Sequence, residues 1–200
     1  ADAVNFASTV LTGSGATSIT VSTTPTGLTA GDEILIINLQ GTSTNYDRVG
    51  QYETHIISSI STNTLNFTDS PLQNTYDGTT QKIMVQRIPN YTDVTISSGA
   101  ILTTGTWDGS KGGVLFFRAS GTVSNAGTIT TTGLGFRGGT AAVGCTTGGK
   151  GESLNGNLGG GDGKDGYTIG AGGVGVFGGG GGGGSYPAAA NVVAKGGGGG

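Results

Sequence analysis

The chain has 200 residues and a net charge of −3, with 10% charged and 34% hydrophobic residues. Ordinary globular domains carry about 25% and about 45–50%. The nine Lys and Arg residues are scattered singly between Arg48 and Lys195, which argues against a nucleic-acid partner, since phosphate binding needs clustered cations. No apolar run approaches the ~20 residues of a membrane helix.

Glycine fills the deficit. Of 44 glycines, 14 precede Thr131 and 30 lie in the last seventy positions. The first part of the chain can bury an ordinary core; the last cannot, because glycine has no side chain to bury. The start, Ala1-Asp2-Ala3-Val4, reads as a mature end left after small-residue cleavage, which suggests a secreted protein. One cysteine, Cys145, allows no intrachain disulfide.

Strand signals dominate, and no window sustains an apolar helical period. Ser18 to Thr23 alternates with period two. Asp32 to Leu39 holds a continuous apolar run and predicts a strand buried on both faces. The run from Tyr52 to Ile60 places Thr54, Ile56, Ser58 and Ile60 on one face. Leu65 to Phe67 and Lys82 to Ile88 follow, the latter ended by Pro89. These elements predict an N-terminal β-domain over residues 1–90.

Residues 91–139 read differently. Val94 to Ile96, Ile101 to Thr103, Val114 to Phe117, Gly121 to Val123 and Gly127 to Thr130 are short strands separated by Gly or Asn-Ala-Gly turns. Short strands with tight corners are how a β-solenoid rung is written. An antiparallel meander fits the same pattern.

Residues 140–200 form a glycine-rich packing region. Gly178 to Gly184 is an unbroken run of seven, and Gly196 to Gly200 of five. The one helix candidate, Ala188 to Lys195, is barely two turns long. Glycine chains pack as extended threefold helices, rising about 3.1 Å per residue and cross-linked by N–H···O and Cα–H···O bonds. Ordering them costs much backbone entropy, and only a network that satisfies most amides offsets it. The tail is therefore expected to be a polyglycine-II-like bundle. Gly178, Gly180, Gly182 and Gly184 are its candidate assembly positions.

Several motifs are candidates for chemistry. Gly133 to Gly138 fits G-x-G-x-x-G and Gly144 to Lys150 spells a Walker A as far as its lysine. Neither is followed by a helix pattern, and Gly151 stands where Ser or Thr must hold magnesium. Gly160 to Thr168 fits one nine-residue calcium-binding β-roll repeat, without a tandem partner. Asp162 and Asp165 are its candidate calcium ligands; no other cofactor is suggested. His55 is the single histidine, in a strand pattern beside Glu53 with no third member in view, so it reads as packed or solvated. With no nucleophile signature either, the chain is expected not to be an enzyme. Two glycosylation sequons occur, at Asn66 and Asn90. Trp107, Tyr167 and Tyr186 are candidates for a ligand-binding face.

The stretch from "GDEILIINLQG" (Gly31 to Gly41) through "WDGSKGGVLFF" to "GFRGG" (ending at Gly139) resembles a module of large secreted bacterial surface proteins, adhesin-like or gliding-motility-associated. That resemblance implies a β-domain leading into a glycine-rich region, and it transfers no catalytic residues. The tail is also similar in composition to the glycine-rich adhesin tips of some phage tail fibres.

Together these features predict an extracellular, cell-surface structural protein that associates with itself into a layer, matrix or filament. The alternative is an adhesin binding a cell-surface glycan. In the first reading, Gly180→Val with Gly182→Val places Cβ branches where backbones touch. Electron microscopy of the double variant should show assembly lost, with residues 1–130 still folded by circular dichroism; normal assembly refutes glycine packing.

Overall fold

The computed structural model describes residues 4–138 and 151–156. Its regular elements there are all strands, with no helix. The chain is all-β, as the period-two patterning predicts. The described residues fall in two compact units: 4–39 with 50–134, and 40–49 with 135–138 and 151–156.

The first unit is built on a six-stranded sheet. It contains β1 (Asn5–Ser8), β3 (Ser18–Thr20), β4 (Glu33–Gln40), β5 (Tyr52–Ser61), β6 (Thr64–Phe67) and β8 (Lys82–Ile88), in the order β1-β8-β4-β5-β6-β3. A small antiparallel pair, β2 (Leu11–Thr12) with β7 (Tyr76–Asp77), lies outside it. The sheet curls until its edges meet: the Ser22 N–H donates to the Ala7 carbonyl at 2.8 Å, and the Ser8 hydroxyl donates to the Thr20 carbonyl at 2.8 Å. Joining the edges removes the open ladder that a flat sheet would expose. All six strands feed one core, with Phe6, Ile19, Ile34, Ile36, Ile57, Leu65, Phe67, Ile83 and Val85 packed with Leu72 and Tyr76.

The central strands are covered on their other face as well. Leu35, Met84, Gln86 and Ile88 alternate with the core residues of β4 and β8, yet they are also buried. Double-sided burial is what the continuous apolar run of β4 predicts. The loop before residue 114 lies on this second face, where the Gly112 N–H contacts the Met84 sulfur at 3.2 Å. Gly112 has φ +102°, and a Cβ there would collide with the Thr106 carbonyl oxygen, so only glycine fits.

One strand turns the opposite way from its sequence pattern. On β5 the buried positions are His55 and Ile57, while Ile56 is 52% exposed. The register shifts between Ile57 and Ser59, and beyond the shift Ile60 packs against the core. A β-bulge inserts one residue and so exchanges the two faces. The pattern of Thr54, Ile56, Ser58 and Ile60 therefore joins residues that do not share a face.

After Pro89 the chain forms three short parallel pairs: β9 (Asn90–Tyr91) with β12 (Arg118–Ala119), β10 (Val94–Ile96) with β13 (Val123–Asn125), and β11 (Ile101–Leu102) with β14 (Thr128–Ile129). Partners are separated by 28, 29 and 27 residues, from Asn90↔Arg118, Val94↔Val123 and Ile101↔Thr128. A near-constant spacing with parallel pairing is two stacked solenoid rungs, not a meander. Gly121 and Gly127 sit at the corners, where a Cβ would strike the backbone of the rung below, at Thr92 and at Ser97 and Ala100. Val114 to Phe117, expected as a strand, is irregular chain entering the second rung.

In the second unit Gln40 and Gly41 are held by Ser153 and Leu154. The Gln40 side-chain amide donates to the Ser153 carbonyl at 2.8 Å, and the Gly41 N–H donates to the Leu154 carbonyl at 2.7 Å. Arg137, in the "GFRGG" motif, pairs with Glu152 through both backbone and side chain.

The β5–β6 hairpin carries one strained residue. Ser61 pairs with Thr64, so Thr62 and Asn63 form a two-residue loop, and Thr62 has φ +53°. A β-branched residue there carries a steric cost of about 1–2 kcal/mol, whereas glycine is favoured at the first position of such a loop. Thr62→Gly should raise stability by about 0.5–1 kcal/mol, read as a higher thermal midpoint. An unchanged or lower midpoint contradicts the strain.

Candidate functional site

A shallow groove lies where the first rung leaves the sheet. Glu33, at the start of β4, reaches Arg118 at the start of β12 in a bidentate pair: Arg118 Nε lies 2.9 Å from both carboxylate oxygens, and Nη2 lies 2.7 Å from Oε1. The Asn90 amide adds a bond to Glu33 Oε2 at 3.0 Å and a second to the Ile88 carbonyl at 3.1 Å. Glu33 is only 16% exposed. Bidentate geometry places this pair at the upper end of the ~0–1 kcal/mol of a surface ion pair, since the Arg118 side chain is half-exposed. The Arg118 and Asn90 bonds hold the Glu33 carboxyl below its ordinary value of 4.5, outweighing the opposing effect of burial.

Tyr91 stands beside this clamp with 41% of its surface exposed. Its ring tilts against Phe117 at a centroid distance of 6.2 Å, and the Arg118 guanidinium lies 5.9 Å from the centre of Phe116. The Tyr91 ring thus contacts Phe117 while part of its surface stays exposed. Two hollows adjoin here. One, of about 420 Å³, is lined by residues 31–33 and 87–91; the other, of about 370 Å³, is lined by residues 90–92 and 118–120. Asn90 and Tyr91 belong to both.

The second polar cluster is internal. The His55 ring nitrogens lie 3.2 Å from Glu53 and 3.2 Å from Asp69, and the ring stacks on Phe67 at 4.2 Å. Asp69 is the third member absent from the sequence pattern. Glu53 also accepts the N–H groups of Gln73 and Asn74, at 2.8 and 3.1 Å. Burial pushes the Glu53 carboxyl up, but these bonds and those from His55 and Tyr76 outweigh it and hold the group low. Asp69 is lowered in the same way, with His55 and a backbone N–H overcoming burial. Burial and the Glu53 charge push the Tyr76 phenol up. With the imidazole 1% exposed, this cluster anchors the chain around residues 69–76 to the core.

The residues singled out from sequence fall elsewhere. Trp107 is buried at 4% exposure, its N–H donating to the Leu134 carbonyl at 2.8 Å. It lies in the interior and presents no binding face. Tyr167, Tyr186, Asp162, Asp165, Gly178, Gly180, Gly182, Gly184 and Cys145 lie outside the described residues. Among the described residues no group of three or more His, Cys, Asp or Glu is placed to hold a metal ion, and no helix is long and apolar enough to cross a membrane. In the sequence Asn90 and Tyr91 belong to a glycosylation sequon and Glu33 to a predicted strand, with nothing to join them to Arg118. The one available signal was a carboxylate opening an apolar strand.

No family model and no curated protein matches the chain. Solved structures do, and they are phage tailspikes. The tailspike gp49 of Pseudomonas phage LKA1 matches at 24% identity and a TM-score of 0.37, over 52% of this chain and 17% of that one. The Gp54 tailspike of Acinetobacter baumannii bacteriophage AP22, solved in complex with A. baumannii capsular saccharide, matches at 14% and 0.35, over 64% and 22%. The Pseudomonas phage phi297 tailspike gp61 matches at 18% and 0.34, over 64% and 20%. The chain spans about a fifth of the length of these proteins. No family model supports the resemblance to the bacterial surface module. The expectation that the chain is not an enzyme is not upheld: a missing catalytic signature in the sequence excludes no activity.

The lowered carboxylates fix the direction of acid sensitivity. Glu33 and Glu53 shift down from 4.5 and Asp69 from 3.8. Their stabilisation is therefore present above the unfolded values and is lost as pH falls through the lower folded ones. The thermal midpoint of the wild type should fall steeply below about pH 4.5. Glu33→Gln should cost about 1 kcal/mol at pH 7 and flatten that acid limb. An acid limb identical to the wild type refutes the clamp.

Proposed function

We propose that the chain is a surface-ligand-binding module of an extracellular or phage-surface protein, and that it recognises a glycan at the Glu33–Asn90–Tyr91–Arg118 groove. The observation that carries this reading is the exposed ring of Tyr91, in contact with Phe117 and lining two adjoining hollows. A sugar ring has an apolar face and a polar rim. It fits a site that offers an aromatic surface together with a few fixed polar groups. The clamp supplies rigidity: Glu33 fixes both Arg118 and Asn90, so the polar edge is set before a ligand arrives.

The self-associating structural reading rests on Gly178 to Gly184, outside the described residues, and the groove favours the adhesin. Bacterial capsular saccharides are the first ligands to screen. On a glycan array the wild type should give saturable hits, and Tyr91→Ala should weaken them at least tenfold, with an unchanged thermal midpoint. Wild-type binding by Tyr91→Ala removes the groove from the reading.

A further inference from the structure

Resting on the glycan reading, the second hollow also carries information about the charge of what it takes. It is lined by residues 90–92 and 118–120, and its one charged group is Arg118. The carboxylates Asp32 and Glu33 line the other hollow. Asp93 follows Thr92 in the chain but is not part of this lining, and its Oδ1 accepts the Thr122 N–H at 2.7 Å. A guanidinium carries five N–H donors on two usable edges. Glu33 occupies the edge formed by Nε and Nη2. The edge formed by Nη1 and Nη2 remains, and Nη1 has no protein partner among the described residues. The Arg118 side chain is 48% exposed, so a ligand can reach it.

That free edge is a fork of parallel donors, which matches the two oxygens of a carboxylate. Glu33 holds the guanidinium by its other edge, so the fork is fixed before a ligand arrives. The hollow adds hydroxyls: Thr92 and Ser120 line it and are exposed, and neither hydroxyl has a protein partner among the described residues. Tyr91 belongs to the same lining, so a sugar stacked on its ring can carry a substituent to Arg118. A ligand hydroxyl satisfies one donor of the fork and leaves the other to water. A carboxylate satisfies both with charge-assisted bonds, roughly twice as strong as neutral ones. The Glu33 charge opposes a ligand carboxylate, but the Asn90 amide and Arg118 itself already offset it.

We infer that the second hollow binds the carboxylate of an acidic saccharide, a hexuronate or another carboxyl-bearing sugar, on the free edge of Arg118. The test arrays each hexuronate-bearing capsular saccharide beside its carboxyl-reduced form, in which a primary alcohol replaces the carboxylate. The full chain is then titrated with the pairs that bind. The acidic member should bind at least tenfold more tightly than the reduced one. Arg118→Gln should bring the ratio of the two affinities to within twofold; taking the ratio removes any general weakening of the groove. If Arg118→Gln does not fold, Arg118→Lys replaces it. That variant keeps a charge opposite Glu33 but offers no second fork, and it should cut the ratio at least threefold. Equal or tighter binding of the reduced forms overturns the inference and leaves glycan recognition standing. So do hits confined to neutral saccharides, or a ratio that the folded variant leaves unchanged. Failure of every saccharide to bind overturns both.

Discussion

The first unit depends on burying β4 and β8 on both faces. A strand with one apolar face needs one cover, whereas Ile34-Leu35-Ile36 and Ile83-Met84-Val85 need two. The curled sheet supplies the inner cover, because its joined edges enclose Ile34, Ile36, Ile83 and Val85. Chain beyond the sheet supplies the outer one, through Gly112 against Met84. Fully burying each such side chain contributes about 1.5–3 kcal/mol, far more than any polar contact on the surface.

The polar contacts direct what that burial has joined. Once chain after Pro89 lies against the sheet, Glu33 and Arg118 meet from 85 residues apart. Their pairing fixes the first residues of β9 and β12 relative to each other and so sets the walls of the groove. The His55 cluster plays a comparable part inside the sheet, tying Asp69, Gln73 and Asn74 to β5. There the Glu53 carboxylate, with several donors, organises backbone around Gln73 and Asn74 that lacks regular pairing. Both acidic networks lose that capacity on protonation, so acid acts on the groove and on the core loop together.

The stacked rungs give the groove its character. Parallel pairing places Tyr91 beside Ala119 and Asn90 beside Arg118. The second hollow thus forms from residues of consecutive rungs, 90–92 and 118–120. Corner glycines permit the close stacking, since a Cβ at Gly121 or Gly127 would push the rungs apart. The glycine content that looks like linker composition is, within residues 4–138, a packing requirement at particular corners.

The sequence alone determined the all-β class, the doubly buried β4 and the change of character after Pro89. These follow from local quantities: apolar period, run length, and the absence of helix-compatible spacing. The face of β5 was not legible, because one bulge inverts the side-chain alternation and no local signal announces it. Nor was the choice between rung and meander: strand direction depends on which segments pair, and short Thr-rich strands are compatible with both. Trp107 is a candidate for a ligand-binding face in the sequence, yet the folded residue is buried. The groove was the least legible feature. Its four defining residues are drawn from β4, β9 and β12, and nothing in their spacing along the chain links them. Only tertiary packing, by bringing distant backbone within hydrogen-bonding reach, decided that Glu33, Asn90, Tyr91 and Arg118 would form one site.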